Sequence, residues 1–386
     1  FDILTTELRS LLGDRCSTGD SIIDLHSRDA AYTPPVKPHA VVFPENTEEV
    51  SSIVKLCSEK NCPIVAFGVG SSLEGQVVPV VGGVSVDFSR MNKITAVQTE
   101  DLIATVEPGV TRIQLNEYLR DQGLMFTVDP GADASIGGMC ATRASGTNSV
   151  RYGTMRENVL ALEVVLPDGR VINTGTQAPK SASGYDLTRL FIGSEGTLGI
   201  ITEVHLRLSP IPESIMSAVC QFPDLDSAVL TAQEIIQYGV PIARVELLNK
   251  DQMDISIRYS QLDNLDRLPT LFYEFHGSEI SNEESIGVVE EISKNNNGSE
   301  FKWATNTEER NKIWKARHNV YYSVKAQGDN IRVYVTDVCV PISNIVECIK
   351  FAETELRDTR LKAPMVGHVG DGNFHVSIIY DPSKDR

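Results

Sequence analysis

The sequence has no long apolar segment and no close pair of cysteines. Its longest apolar run, around residues 77–88, is interrupted by Pro79 and by glycines, so no transmembrane segment is expected. The seven cysteines are odd in number, scattered and free of any CxxC pair, which is typical of reduced thiols in a cytosol or an organelle matrix. These absences argue against a membrane-spanning protein and against a disulfide-stabilised scaffold.

A net positive charge is also absent. The formal charge is −17 at pH 7, and a protein of that charge gains little by displacing counterions from a polyanion. Nucleic acid and anionic membrane surfaces are therefore not expected partners, whereas a basic protein partner is compatible. With 386 residues, of which 41% are hydrophobic, the chain is too long for one ordinary core, and two domains are expected.

Capping residues predict two helices in the first half of the chain. Residues 40–68 have the pattern strand, helix, strand, and Asn46 with Glu49 can cap the start of that helix. Thr111 and Gln114 predict a capping box on a second helix. The first half is therefore expected to mix helices with strands.

The composition changes near residue 212, where we place a domain boundary. Beyond it helices and strands alternate regularly, with strands such as LFYEF and VYVTDVCV. The helices are expected near residues 226–238, 282–294, 307–325 and 343–357. The sequence thus predicts a first domain of residues 1–211 and a second domain of residues 212–386.

The segment IVAFGVGSSLEG places a glycine-rich loop directly after an apolar strand. The N–H groups of Gly68, Gly70, Ser71 and Ser72 could converge there on an anion such as a pyrophosphate. A Rossmann loop would need a third glycine at Leu73 and a helix after it, and a P-loop would need GK[ST]; neither is present. By its residues alone the loop is either a phosphate cradle or a tight turn.

A second segment, PGADASIGGMCATRASGTNSVRYGTM, spreads glycines among Ala, Ser and Thr. Small residues let the backbone approach a large flat ligand closely. The alternative is a long flexible loop, although Ile136, Met139, Val150 and Tyr152 are apolar enough to anchor it. A third segment, FIGSEGTLGIITEVHLRL, joins a glycine turn to a strand and indicates little by itself.

The segment GHVGDGNFH sets two histidines around an Asp-Gly turn. If Asp371 and Gly372 are the central residues of a two-residue hairpin turn, His368 pairs directly with His375. Directly opposed Cβ atoms lie roughly 4.5–5.5 Å apart, which lets two imidazoles share one divalent cation. From the residues alone, metal ligands and two half-buried hairpin histidines are equally good interpretations.

A helix with four large side chains on one face is predicted from ERNKIWKARHNVYY. The shared face carries Arg310, Trp314, Arg317 and Tyr321. Arg317 is the candidate for a bidentate clamp on the carboxylate of an acidic substrate. The alternative is a solvated helix face.

Together these segments resemble the FAD-linked D-2-hydroxy acid dehydrogenases of the vanillyl-alcohol oxidase type, most closely the mitochondrial D-lactate dehydrogenases of eukaryotes. The segments that carry the resemblance are residues 66–75, 129–159, 180–203, 336–343 and 367–375. They follow the family's order over nearly the whole chain. The resemblance implies an α+β fold of two domains, an FAD-binding domain over residues 1–211 and an α+β substrate, or cap, domain over residues 212–386.

The resemblance also implies cofactors and site residues. The residues expected to bind FAD, without a covalent bond, are Gly68, Gly70, Ser71, Ser72, Leu73, Pro130, Gly131, Ile136, Gly137, Gly138, Ser145, Gly146, Tyr152, Gly153, Glu195, Gly196, Ile200 and Asn373. His368 and His375 are expected to bind a divalent metal, Zn²⁺, Mn²⁺ or Co²⁺. With Arg317 they form the expected catalytic set.

The implied activity is oxidation of D-lactate, or a similar small D-2-hydroxy acid, to the 2-oxo acid. Hydride would pass to flavin N5 and electrons onward to an acceptor such as cytochrome c, in the mitochondrion. Val335 stands where relatives that act on 2-hydroxyglutarate have a lysine, which favours a small monocarboxylate. The alternatives are a dehydrogenase of 2-hydroxyglutarate or glycolate, or an inactive flavin-binding scaffold.

The family pattern continues past the hairpin to a Gly-Glu-His-Gly segment that supplies a third metal ligand and a base. The sequence given ends at Arg386. Either the sequence is part of a longer protein, with those two residues beyond Arg386, or the chain has lost its catalytic base. We expect the first.

Overall fold

The computed structural model describes residues 2–30, 33–262, 264–304, 306–357, 359 and 361–383. In chain order the helices are α1 (Asp2–Leu12), α2 (Asp20–Leu25), α3 (Thr47–Glu59), α4 (Arg112–Arg120), α5 (Ile136–Thr142), α6 (Ser149–Tyr152), α7 (Met155–Asn158), α8 (Leu187–Phe191), α9 (Leu225–Gln237), α10 (Lys250–Ser260), α11 (Glu279–Asn295), α12 (Thr307–His318), α13 (Val320–Lys325) and α14 (Ile345–Arg357). Short 3₁₀ turns lie at Gly13–Arg15, Ile342–Asn344 and Val369–Asp371.

The strands follow the same order along the chain. They are β1 (Cys16–Ser17), β2 (Ala40–Val42), β3 (Ile64–Phe67), β4 (Val84–Asp87), β5 (Ile94–Gln98), β6 (Ile103–Val106), β7 (Leu124–Met125), β8 (Val159–Val165), β9 (Val171–Asn173), β10 (Ile200–Arg207), β11 (Ser209–Pro210), β12 (Ser214–Gln221), β13 (Arg244–Leu248), β14 (Thr270–Gly277), β15 (Lys302–Trp303), β16 (Arg332–Val335), β17 (Val338–Cys339), β18 (Met365–His368) and β19 (Asn373–Tyr380).

The chain divides into two compact units. The first contains Phe1–Ser145 and Gly153–Ile211, and the second contains Gly146–Tyr152 and Pro212–Arg386. Helix α6 thus belongs to the second unit although its sequence lies inside the first. The segment Gly146–Tyr152 is held there by contacts such as the hydrogen bond that Arg244 Nε donates to Asn148 Oδ1 at 2.8 Å. Within the described residues, no helix is long and apolar enough to cross a membrane.

The first unit contains two main sheets. One has the strand order β1-β2-β4-β3, with β2, β4 and β3 parallel, and α3 is the crossover between β2 and β3. The other is antiparallel, with the order β5-β6-β10-β8-β9. Parallel strands need a crossover connection of a dozen or more residues, and α3 lies in the connection from β2 to β3, which flank β4.

The two predicted helix caps of the first unit are confirmed. The Asn46 side chain accepts a hydrogen bond from the Glu49 N–H at the start of α3. Thr111 and Gln114 form the reciprocal capping box of α4. Each cap satisfies N–H groups that have no partner inside the helix.

The second unit is built on a large sheet with the strand order β15-β12-β14-β13-β18-β19-β16, and β17 pairs with β19. Alternate residues of each strand face opposite sides. On β13, Val245 and Leu247 pack with α9, α11 and α14, whereas Leu248 packs with Trp314 of α12. Helices therefore cover both faces of the sheet. Polar side chains on the face that packs against α12 are buried as a result.

Two predictions for the second unit need correction. The helix expected over residues 307–325 is two helices, α12 and α13, because the turn at Asn319 ends one and begins the next. In addition, one helix of this unit, α10 with the N-cap Asn249, was not predicted at all. The strand expected over VYVTDVCV is two strands, β16 and β17, with Thr336 and Asp337 between them.

Candidate functional site

In the first unit, the structure brings together two of the predicted cofactor-binding segments. Gly68, Gly70, Ser71, Ser72 and Leu73 lie in the loop that follows β3. A Cβ atom on Gly68 would lie 2.2 Å from Ser135 Oγ, so this loop touches the start of α5. Among the described residues, the N–H groups of residues 68–73 donate to no protein acceptor. Such a row of N–H groups is suited to an anion.

The backbone of this loop requires glycine. Gly70 has a φ of +67°, and a Cβ there would lie 2.7 Å from Phe67 Cζ. The Phe67 ring in turn contacts the buried ring of His26, with centroids 4.2 Å apart. His26 is held by hydrogen bonds from Nε2 to Asp87 Oδ2 at 2.8 Å and from Nδ1 to Ile22 O at 2.8 Å.

The second predicted segment has residues with different roles. Ile136 is fully buried in the core of the first unit, and Gly137 leaves no room for a Cβ, which would lie 2.5 Å from Pro108 Cβ. These two residues position α5. Gly131 has open space around it, and Gly138, like Pro130, is half-buried.

The third predicted segment joins the same region of the first unit. Glu195 and Gly196 have positive φ values of 50° and 76°, and the Glu195 N–H donates to Ala141 O at the end of α5 at 3.0 Å. With Ile200, these residues line a cleft of about 290 Å³ whose other wall includes Ile64, Val65 and Ala66 of β3.

The first unit therefore fits a large ligand with an anionic part, as FAD is. Three features support this fit. The loop of residues 68–73 presents N–H donors, and its glycines Gly68 and Gly70 have no room for a Cβ next to Ser135 and Phe67. The cleft lined by Glu195, Gly196 and Ile200 is the third feature. Ser145 and Gly153 also belong to this unit. Gly146, Tyr152 and Asn373 belong to the second unit, where the Tyr152 hydroxyl is hydrogen-bonded to His276 Nδ1 at 2.8 Å.

The predicted register of the hairpin is wrong. His368 pairs with Asn373, and His375 pairs with Val366. The loop has four residues, Val369 to Gly372, because a 3₁₀ turn precedes Gly372, which has a φ of +73°. A Cβ on Gly372 would lie 2.1 Å from Val340 O, so packing against the segment after β17 determines this turn.

The two histidines still lie on one face, as diagonal neighbours. Their ring centroids are 5.7 Å apart and the rings are nearly perpendicular, at 88°. His368 Nδ1 is hydrogen-bonded to Glu246 Oε1 at 2.8 Å, and His375 Nδ1 to Thr336 O at 3.0 Å. Within the described part of the chain both Nε2 atoms have no hydrogen-bond partner.

Arg317 lies against the same carboxylate. Its side chain is buried, and Nη2 forms an ion pair with Glu246 Oε2. Its Nε is buried without a partner among the described residues. Burial raises the pKa of Glu246, but His368 and Arg317 outweigh it and hold that pKa below its usual range. Burial, followed by the proximity of His368, lowers the pKa of His375.

A row of buried polar residues beside this group was not predicted. Glu274 accepts a hydrogen bond from Ser217 Oγ at 2.9 Å and is hydrogen-bonded to His276 Nε2 at 2.8 Å. Its carboxylate also lies 3.2 Å from Arg244 Nη1. The Arg244 guanidinium lies 4.6 Å from the centre of the Trp314 ring. Alternating charged residues in RVELL and YEFHG were the available signal, because apolar strands buried on both faces rarely contain them.

A complete metal centre is not present in the part of the chain that the structure describes. No three or more His, Cys, Asp or Glu side chains there are arranged to hold a metal ion. His368 and His375 offer two Nε2 atoms as ligands. The carboxylate of Asp337 lies 3.6 Å from His375 Nδ1, which is the other ring nitrogen and not the one available to a metal. Arg310, predicted on the same helix face as Arg317, is half-buried, and Tyr321 lies on the separate helix α13.

Two protein families match the chain. A family described as "FAD binding domain" matches residues 38–175, and one described as "FAD linked oxidases, C-terminal domain" matches residues 211–386. The predicted FAD cofactor and the two-domain fold class are thereby confirmed.

Two relatives that match nearly the full chain are mitochondrial D-lactate dehydrogenases. A probable mitochondrial D-lactate dehydrogenase of Danio rerio is 49% identical over 98% of this chain and 77% of that protein. A mitochondrial D-lactate dehydrogenase [cytochrome] of Arabidopsis thaliana is 43% identical over 99% of this chain and 68% of that protein.

Solved structures show the same fold at lower identity. An alkyldihydroxyacetonephosphate synthase has a TM-score of 0.82 at 22% identity, covering 99% of this chain and 81% of that chain. A p-cresol methylhydroxylase with substrate bound has a TM-score of 0.81 at 21% identity, covering 100% of this chain and 84% of that chain.

Proposed function

We propose that this chain, which belongs to the FAD-linked oxidases of the vanillyl-alcohol oxidase type, oxidises D-lactate to pyruvate. Its similarity to the two mitochondrial D-lactate dehydrogenases supports the reaction and a mitochondrial location. Residues 1–211 would form the FAD-binding domain and residues 212–386 the substrate domain. An acceptor such as cytochrome c, a basic protein, would suit the net charge of −17.

The observation that carries the proposal is the buried Arg317. Its Nη2 is paired with Glu246, while its Nε has no partner among the described residues. A buried donor without an acceptor costs free energy, so a ligand that accepts from it binds favourably. A substrate carboxylate is suited to this role because guanidinium and carboxylate form strong charge-assisted hydrogen bonds.

The two histidines fit the proposed metal. Each Nδ1 is occupied, by Glu246 or by Thr336 O, which leaves Nε2 as the ligating atom. A ligating histidine usually donates its other ring N–H to a carboxylate or a backbone carbonyl in this way. Zn²⁺, Mn²⁺ and Co²⁺ accept imidazole together with oxygen ligands. The third ligand would come from outside the described residues.

The residues then have distinct tasks in the reaction. When bound, FAD would supply the acceptor for the hydride from Cα, and a divalent metal would supply Lewis acidity toward the 2-hydroxyl. Arg317 binds the substrate carboxylate and so fixes the orientation of Cα. His368 and His375 would hold the metal through Nε2. Conversion of D-lactate to pyruvate would remove a hydride from Cα, which passes to the flavin, and a proton from the hydroxyl, which passes to a general base.

The first test is reduction of the bound flavin without oxygen. D-Lactate added to the FAD-loaded protein is expected to bleach the yellow flavin absorbance, and L-lactate is not, because one Cα configuration presents its hydrogen to the flavin. Stopped-flow absorbance gives the rate. D-2-Hydroxyglutarate and glycolate are the comparison substrates. Faster bleaching by either would reassign the substrate, and no bleaching by any of them would favour an inactive flavin-binding scaffold.

The second test concerns the metal. Treatment with a chelator is expected to lower the rate of flavin reduction by D-lactate, and Mn²⁺, Zn²⁺ or Co²⁺ should restore it. His375→Ala should bind metal at least about tenfold more weakly, because it removes one of two imidazole ligands. The control is His205→Ala, a histidine of the first unit. Metal-to-protein ratios after dialysis measure the loss, and equal ratios in both variants would refute the assignment.

A further inference from the structure

Glu246 connects the two halves of the proposed site in the second unit. One carboxylate oxygen, Oε1, is hydrogen-bonded to His368 Nδ1 at 2.8 Å, and the other, Oε2, is paired with Arg317. The three residues come from β13, β18 and α12. The Glu246 side chain is 2% exposed, so water does not compete for either oxygen.

The bond to His368 determines the state of that ring. An ionised carboxylate only accepts hydrogen bonds, so Nδ1 must carry the hydrogen that it donates. In a neutral ring, the lone pair is then on Nε2. Nε2 has no partner among the described residues and is the atom that a metal requires. Glu246 therefore selects the tautomer and restricts rotation of the ring.

The bond to Arg317 restricts the guanidinium in the same way. Nη2 is held by Glu246, and the planar geometry of the group then fixes the directions of Nε and the remaining donors. Because one rigid carboxylate contacts both residues, a shift of either one changes the hydrogen bond of the other.

We propose that Glu246 is a positioning residue on which both metal binding by His368 and carboxylate binding by Arg317 depend. The inference rests on the function proposed above and goes beyond it. It couples the two binding sites through a residue that touches neither ligand. Loss of its charge therefore weakens the binding of metal and of D-lactate together.

The second histidine proposed to bind the metal, His375, has in the described part of the structure no contact of this kind with a carboxylate that also holds Arg317. His375 Nδ1 is bonded to the backbone oxygen of Thr336. A backbone carbonyl is held by its own chain and is unaffected by a change at Glu246. The effect of a Glu246 variant should therefore reach the metal through His368.

Glu274 provides a matched control on the same face of the sheet. It is buried like Glu246 and lies on β14, where it contacts Arg244, His276 and Ser217. Neither His368 nor Arg317 is among its contacts in the described structure. Replacement of either glutamate by glutamine removes one buried charge, so the structural cost is similar.

The experiment compares Glu246→Gln with Glu274→Gln in the FAD-loaded protein, using Co²⁺ as the metal probe. For Glu246→Gln we expect the Kd for Co²⁺ to rise about 10- to 100-fold, the visible spectrum of bound Co²⁺ to change, and the KM for D-lactate to rise. Glu274→Gln should retain the wild-type Co²⁺ spectrum and Kd. FAD content and Tm are measured for both.

Wild-type Co²⁺ affinity and KM in a folded Glu246→Gln protein would overturn the inference. Equal losses in both variants would also overturn it, since they would indicate a general structural effect. If Glu246→Gln does not fold, Glu246→Asp keeps the charge but shortens the side chain, and the same changes are expected. Absence of Co²⁺ binding by the wild type is a different result, because it refutes the metal in the proposed function and this inference with it.

Discussion

Replacement of Arg317 by methionine is expected to lower the free energy of unfolding of the second unit by about 3–5 kcal/mol. The variant leaves Glu246, which is 2% exposed, as a buried carboxylate without its cation. Urea titration followed by tryptophan fluorescence measures the change. The sequence has two tryptophans, Trp303 and Trp314, and both lie in the second unit, so the signal reports that unit.

Three companion variants separate charge, geometry and position. Arg310→Met, on the same helix but half-buried, should change stability by no more than about 0.5 kcal/mol. Arg317→Lys keeps a cation and should retain more stability, yet raise the KM for D-lactate because the planar donor pair is lost. Arg317→Met combined with Glu246→Gln should recover stability without activity. An unchanged urea midpoint for Arg317→Met would show that the ion pair does not stabilise the fold.

Replacement of Gly68 by alanine is expected to weaken FAD binding about 10- to 100-fold, or ~1.4–2.8 kcal/mol, in a protein that still folds. The new Cβ would lie 2.2 Å from Ser135 Oγ, so the loop after β3 or the start of α5 must shift. Either shift moves N–H groups proposed to bind the FAD phosphates. Titration of the apoprotein with FAD, followed by flavin fluorescence, gives the Kd.

A second-site variant tests the cause of that loss. Ser135→Gly removes the atom that the new Cβ would meet, so the double variant Gly68→Ala/Ser135→Gly should recover much of the FAD affinity. Gly131→Ala is the control, because a Cβ there has no atom within 4 Å. If the single Gly68 variant binds FAD like the wild type, the loop after β3 does not contact the cofactor as proposed.

Features that depend on neighbouring residues could be predicted from the sequence. The Asn46 cap of α3 and the capping box of Thr111 and Gln114 were predicted correctly, because each is made by residues three positions apart. The family was recognised from glycine and histidine segments whose order follows the chain. The roles of the individual site residues stay predictions.

The register of the histidine hairpin shows where local rules fail. An Asp-Gly pair favours a two-residue turn. The turn instead has four residues, because Gly372 packs against Val340 O in the segment after β17, more than thirty positions earlier in the chain. The prediction that His368 and His375 share a face was sound. The prediction that the two residues pair directly across the hairpin was wrong.

By itself, the sequence determined the family, the FAD cofactor and the segments that carry the glycines and histidines. Only the tertiary structure showed Glu246 between His368, 122 residues away, and Arg317, 71 residues away. The charged residues of RVELL mark a polar position in a strand, but no local pattern identifies the partners of Glu246, because they come from other strands and helices. A buried carboxylate is stable only where those elements meet and supply its hydrogen bonds and its countercharge.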